Sequence, residues 1–242
     1  MSLIYGKNPV SEAILSGKTI NKIYVQSQTK DLYDVIKLAK ENKIVVVQSD
    51  RSKLDKMVGY KNTQGIVASV TEFEYSEIDD ILEYANSKNE APFIVILDKI
   101  EDPHNLGAII RSVECLGAHG VIIKKRESCQ VTDTVEKVAA GATAYTKVSR
   151  VTNITDTLKY LKEKGLWIYG LDMDAKENIY DVKFEGAIGI VIGNEGEGIS
   201  RLVKENCDVL VKIPMTGRID SLNASVSNAI TLYEIVRQRV KK

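Results

Sequence analysis

The chain has 242 residues, an apolar fraction of 44% and equal numbers of basic and acidic residues, 33 of each. That length suggests one or two domains, and that composition an ordinary globular protein. No run approaches the roughly 20 apolar residues of a membrane helix, the first residues lack the basic-then-apolar order of a secretion signal, and the spacing of Cys115, Cys129 and Cys207 points to reduced thiols in a cytoplasmic protein rather than to a disulfide framework.

The charge is unevenly placed. Residues 1–71 carry eleven Lys/Arg against six Asp/Glu, a net +5; residues 72–91 carry one against seven, a net −6. A basic front module can attract a polyanion even in a neutral chain. Within it, Lys22-Ile23-Tyr24-Val25, Ile44-Val45-Val46-Val47 and Gly65–Val70 are β-branched runs that predict strands. Leu32, Val35, Ile36 and Ala39 recur at helical spacing between the first two. The acidic stretch carries Ile78, Ile81, Leu82 and Ala85 at helical spacing, so it reads as a linker with a short surface helix. Glu90-Ala91-Pro92 opens a second unit. The expected organisation is residues 1–71, an acidic linker 72–91, and residues 92–242.

The second unit alternates strand and helix. Phe93–Leu97 predicts a buried strand. Asp102-Pro103 predicts a helix start, with Asp as N-cap and Pro at the first helical position. Strands follow at Gly120–Ile123, Leu166–Leu171, Ala187–Ile192 and Val209–Ile213, with helices at Ile154–Lys164 and near Ile199–Lys204. The last helix carries Val226, Ile230, Tyr233, Val236 and Val240 along one side. Such alternation predicts an α/β fold with a mostly parallel sheet covered by helices. With two histidines and no Cys-x-x-Cys, no metal site is expected.

Three loops at strand ends carry candidate chemistry. In Asp98–Ser112 a strand ends and a helix begins, at the edge of a parallel sheet where ligands bind. Arg111 could fork onto a phosphate. Asn105 and Arg111 are six apart, about 600° around a helix, so they do not share a face. Read alone, the segment fits a capped helix with one exposed arginine better than a site. In Ile190–Ser200 an apolar strand runs into Gly193-Asn194-Glu195-Gly196-Glu197-Gly198. Glycines admit close backbone approach to a ligand. The order Gly-x-x-Gly-x-Gly differs from the dinucleotide fingerprint, which disfavours a nicotinamide-dependent oxidoreductase. Its glutamates suit ribose hydroxyls or a positive sulfonium. In Ile213–Ser227 a strand ends at Pro214 and a polar loop leads to the last helix, with Ser221 as a plausible N-cap and Asn223 and Ser225 in its first turn.

Together these loops resemble the three signature motifs of the SpoU (TrmH) family of RNA ribose methyltransferases, in the SPOUT superfamily. The matching stretches are Asn105–Arg111, Ile192–Gly198, and Ile213-Pro214-Met215 with Ser221–Ser225. The front resembles the RlmB-like subgroup through Tyr5-Gly6-Lys7-Asn8-Pro9-Val10-Ser11-Glu12-Ala13 and Thr63-Gln64-Gly65-Ile66, with Thr63 where a histidine is common. The resemblance implies an α/β knot (a trefoil-knotted, mostly parallel sheet) behind a small α/β domain similar to ribosomal protein L30e. It implies S-adenosylmethionine as cofactor, bound near Gly193, Asn194, Gly196, Ile213, Met215 and Leu222. It implies catalytic-site positions at Arg111, Asn105, Glu195, Ser221 and Asn223, an RNA substrate held by residues 1–71, and a homodimer with the last helix as interface element. No DNA or membrane partner is expected. The RlmB-like front suggests 2′-O-methylation of a guanosine in 23S ribosomal RNA. Transfer RNA as target, or a catalytically silent RNA-binding or ribosome-assembly protein, are the alternatives.

Overall fold

A computed structural model describes residues 2–16, 18–27, 30–71, 73–218 and 221–240. Ile219 and Asp220 of the third loop and Glu72 of the acidic stretch lie outside the described residues. The chain divides into two compact units, residues 1–74 with 131–133, and residues 75–130 with 134–242.

The first unit contains β1 (Ser2–Tyr5), α1 (Lys7–Leu15), β2 (Ile20–Gln26), α2 (Tyr33–Glu41), β3 (Val46–Ser49), α3 (Arg51–Met57) and β4 (Ile66–Val70). Its sheet has the order β1-β4-β2-β3, with only β2 and β3 parallel. Val10, Ala13 and Ile14 of α1 and Val35 and Ala39 of α2 close over Ile23, Val25, Ile66 and Ala68 of the sheet. The second predicted strand lies two residues further along than its β-branched run suggests. Ile44 and Val45 are used up in leaving α2, where Ile44 N–H donates to the Ala39 carbonyl and Val45 accepts from Ile23.

The second unit contains α4 (Ile78–Ser87), β5 (Phe93–Leu97), α5 (Pro103–Cys115), β6 (Gly120–Lys124), α6 (Asp133–Ala139, starting at the unit boundary), β7 (Lys147–Val151), α7 (Ile154–Glu163), β8 (Trp167–Leu171), β9 (Glu177–Asn178), β10 (Ile188–Ile192), α8 (Arg201–Glu205), β11 (Val209–Lys212) and α9 (Ala224–Val240). Its seven strands lie in the order β7-β6-β5-β10-β8-β11-β9, and every pair is parallel. A parallel sheet is covered on both faces, so its strands read as unbroken apolar runs. Phe93–Leu97 and Ile188–Ile192 are buried throughout. The α/β fold class expected from the sequence therefore stands.

The short helix α4 expected in the acidic stretch is present and amphipathic: Ile81 and Ala85 are fully buried, Ile81 in one cluster with Ile94, Ile122 and Leu158, while Asp79, Asp80 and Glu83 are exposed. Its acidic residues occupy the opposite side, where Asp80 and Glu77 form a reciprocal capping box. The last helix starts at Ala224, so Ser221 is not its cap. Asn223 takes that role, its Oδ1 accepting from the N–H groups of Ser225 at 3.0 Å and Val226 at 3.4 Å. Finally, α9 buries Ala224, Asn228, Thr231, Leu232 and Ile235, whereas Val226, Ile230, Tyr233 and Val240 are exposed. The apolar side read from the sequence as a candidate interface element is thus the exposed one.

Candidate active site

Parallel strands aim their C-terminal ends at one edge of a sheet. The loops after β5 and β10 meet there, with Asp98 N–H donating to the Ile192 carbonyl at 2.9 Å. Asp98, 2% exposed, also accepts from Ser200 N–H at 2.8 Å. That bond holds the glycine loop and the start of α8 against the end of β5. A helix start places Asn105 correctly. Asp102 accepts from His104 N–H at 2.9 Å, Pro103 takes the first helical position, and Asn105 is then turned into the protein at 6% exposure. On the far side of α5, Gly107 lets α6 approach: a Cβ there would sit 2.7 Å from Val138 Cβ and 2.9 Å from the Val135 carbonyl.

The centre of the site is a polar group drawn from three loops. Glu195 accepts from Asn105 Nδ2 at 2.6 Å, from Asn223 Nδ2 at 3.0 Å and from the Ala224 N–H at 3.2 Å, all through Oε1. Asn223 Nδ2 also donates to Asn105 Oδ1 at 2.8 Å. Each amide has both a donor and an acceptor, so the set closes on itself around a carboxylate, which accepts only.

Beside this group lies a cleft of about 680 Å³. Gly193, Asn194, Gly196, Ile213, Met215 and Leu222 all line it, as do Glu195 and Ser221. Asn105 and Asn223 stand behind the lining, tied to it through Glu195. Arg111 is exposed on α5, and the structure does not bring it to the cleft. Asn194 shapes the glycine loop, accepting from Gly196 N–H at 3.0 Å and Glu197 N–H at 2.7 Å. Gly193 is required sterically, because a Cβ would come within 2.0 Å of the Gly198 carbonyl carbon.

This sequence and this fold have counterparts in known proteins. The family model described as SpoU rRNA Methylase family matches residues 92–233, and one described as RNA 2′-O ribose methyltransferase substrate binding matches residues 3–76. The chain belongs to the SpoU rRNA methylase family. A relative from Bacillus subtilis (strain 168), named "Putative TrmH family tRNA/rRNA methyltransferase YacO", is 44% identical over 238 residues, 98% of this chain and 95% of that protein. The structure of the SpoU methyltransferase AviRb from Streptomyces viridochromogenes, in complex with the cofactor AdoMet, matches with a TM-score of 0.64 and 25% identity. That match covers 99% of this chain and 91% of the other. The A. aeolicus TrmH/SpoU tRNA modifying enzyme matches 67% of this chain and 84% of its own, with a TM-score of 0.59 and 26% identity.

Several residues of this SpoU site escape a sequence reading. Asp172 and Lys204 form an ion pair on the cleft wall, Asp172 with its side chain only 6% exposed. Lys99 Nζ reaches Glu197 Oε2 at 2.7 Å, tying the β5 loop to the glycine loop and holding Glu197 below the usual carboxylate range. The one available signal was Asp98, an acidic residue directly after five apolar ones. Burial pushes the Cys129 and Cys207 thiols up to about 12, so neither is a thiolate at neutral pH. Among the described residues no group of His, Cys, Asp and Glu could hold a metal ion, and no helix is long and apolar enough to cross a membrane.

Proposed function

We propose that the protein is an S-adenosylmethionine-dependent RNA ribose 2′-O-methyltransferase acting on a guanosine of 23S ribosomal RNA. The observation that carries this reading is the convergence of Asn105, Glu195 and Asn223, from three distant segments, beside a cleft backed by Gly193. The ribosomal target is supported by the RlmB-like residues of the front unit. The similarity to a tRNA modifying enzyme over two thirds of the chain favours transfer RNA as the second reading.

The cleft fits the cofactor in size and chemistry. Its volume lies within the range of small-molecule sites, about 300–1,000 Å³. Asp172, Asp174, Glu195 and Glu197 line it, which suits a molecule carrying a sulfonium, an ammonium and two ribose hydroxyls. When bound, S-adenosylmethionine supplies a methyl group on a positive sulfur, open to displacement. Gly193, Asn194, Gly196, Ile213, Met215 and Leu222 would hold it.

A ribose hydroxyl is a poor nucleophile at neutral pH, so most of the work falls to positioning, worth up to about 7–11 kcal/mol in ideal cases. Asn105 and Asn223 fix the Glu195 carboxylate, and Glu195 and Ser221 orient the ribose. Arg111 clamps the adjacent phosphate and polarises the 2′-hydroxyl. A guanidinium carries no free lone pair and acts as a donor only, so the hydroxyl proton passes to an oxygen of the clamped phosphate as attack proceeds and the methyl–sulfur bond breaks. Arg111 reaches the site in a homodimer whose two copies complete it together. Support comes from the exposed Val226, Ile230 and Tyr233 on α9, the helix against which α5 packs. Residues 1–71, net +5, hold the RNA, and the cytoplasm is where that substrate lies.

Mapping 2′-O-methyl marks on ribosomal and transfer RNA, from cells with and without this gene, tests the reading. A guanosine mark lost from 23S RNA supports it. A mark lost from transfer RNA replaces the target, and no lost mark points to a catalytically silent protein.

A further inference from the structure

The methyltransferase unit carries a second basic element at the same edge of the sheet, formed by the turn after β6. β6 pairs in parallel with β5, so residues 125–129 leave the sheet beside the loop that leads into α5. The contact is direct. Cys129 N–H donates to the Ile100 carbonyl at 2.7 Å and Ser128 Oγ donates to the same oxygen at 3.2 Å.

The turn is built rather than loose. Gln130 Nε2 donates to the carbonyls of Lys124 at 2.9 Å and Ser128 at 3.2 Å, stapling its two ends. Lys125 N–H donates to the Val151 carbonyl at 2.8 Å. Glu127 at φ +56° and Lys99 at φ +59° both hold the left-handed region without being glycine. Such strain concentrates where a turn has a task.

The charges are sorted. Glu127 is taken by Lys124 at 2.7 Å, and Glu197 of the neighbouring loop by Lys99 at 2.7 Å. Lys125 and Arg126 are exposed, and among the described residues neither enters an ion pair. Glu127 and Glu197 are thus paired with neighbouring lysines, Asp102 caps α5, and Lys125 and Arg126 stand on a stapled turn with no ion pair among the described residues. The stapled backbone fixes where the two side chains start, so little main-chain freedom is lost on binding.

We infer that Lys125 and Arg126 bind backbone phosphate of the RNA substrate next to the target nucleotide. This gives the methyltransferase unit an RNA grip of its own, separate from that of residues 1–71. The inference rests on the reading of the cleft as an RNA methyltransferase site. Phosphate contacts position RNA without reading its sequence, so these residues set where the ribose lies rather than which base is chosen.

The test compares wild type with Arg126→Ala, Lys125→Ala and Arg126→Lys, using bulk RNA from cells lacking this gene. Methyl transfer and direct filter binding of that RNA are both measured. Each alanine variant should weaken RNA binding about tenfold and lower the slope of log affinity against log salt by about one. Turnover at saturating RNA and S-adenosylmethionine affinity should stay as in wild type, and Arg126→Lys should restore most of the loss. Unchanged RNA affinity and salt slope, or an equal fall in cofactor affinity, overturns the inference. Failure of wild type to transfer methyl groups sinks the functional reading instead, and the binding measurements still decide the role of the turn.

Discussion

The amide of Asn223 donates to the side-chain oxygen of Asn105 at 2.8 Å, although 118 residues of chain separate them. Both also donate to one oxygen of Glu195, so each residue holds the others in place. Hydrogen bonds to a charged group are worth about 1.5–3 kcal/mol. Asn105→Ala and Asn223→Ala should each lower kcat/KM for RNA by about 10–100-fold. Because they share Glu195, the double variant should lose less than the product of the two, with a coupling near 1 kcal/mol. Asn223→Asp separates catalysis from capping. It keeps an acceptor for the first turn of α9 but cannot donate to Glu195, so activity should fall while the helix start survives. Purely multiplicative effects in the Asn105/Asn223 cycle would refute a common network.

Gly193 is the position where the smallest change should do most harm to cofactor binding. A Cβ would lie 2.0 Å from the Gly198 carbonyl carbon and 2.3 Å from Ile199 N, backbone atoms that cannot rotate away. Gly193→Ala must open the loop that Asn194 holds closed. Overpacking of this kind costs about 1–3 kcal/mol. The expected result is S-adenosylmethionine affinity at least about tenfold weaker by calorimetric titration, with the circular dichroism of the folded protein retained. Wild-type affinity in this variant would show that the glycine loop does not form the cofactor wall.

Strands of the second unit were legible because parallel strands bury both faces and so write themselves as apolar runs such as Phe93–Leu97. The cap at Asp102-Pro103 was legible because it is local chemistry. Helix α4 was legible as an amphipathic helix, but its packing partner was not. Its acidic face says solvent, while Ile81 and Ala85 say core, and sequence does not reveal which partner covers the apolar side. α9 shows the converse. Its core-facing stripe contains Asn228 and Thr231, both with no exposure, so a search for apolar residues finds the exposed side and misses the buried one. Asn105, Glu195 and Asn223 were each nameable from their motifs. Their mutual bonds were not, since convergence over 28 to 118 residues depends on the sheet order. The pair Asp172–Lys204 left no local trace at all.

Arg111 tests the chemistry rather than the scaffold. It is exposed on α5, so replacement should leave folding and cofactor affinity unchanged. Arg111→Lys keeps a positive charge but loses the planar fork that grips two oxygens of a phosphate. Removing one positioned donor in comparable sites costs about 10²–10³ in turnover. kcat should therefore drop by about 100-fold or more, with little change in the melting temperature. Near-normal turnover with cofactor bound would remove Arg111 from the reaction.

A pH response of stability should arise at His119, well away from this chemistry. The ring is 2% exposed, and its Nδ1 accepts from Phe93 N–H at 3.0 Å while Nε2 meets Glu90 at 3.0 Å. The assigned proton therefore sits on Nε2, and protonating Nδ1 would set two donors against each other. Burial lowers the pKa of His119 below 6.5, outweighing the opposing pull of Glu90. In the unfolded chain the imidazole titrates near its ordinary value, so between the two pKa values the unfolded state binds more protons. Stability then rises with pH across that window, and is lost as pH falls from about 6.5 towards the folded value. Denaturant titrations from pH 7.5 down to 5 should show this loss in wild type. His119→Asn offers an acceptor to Phe93 but no titrating ring, and should flatten the response over that range. A wild-type profile that is already flat, or an unchanged slope in His119→Asn, would assign the pH dependence to other groups.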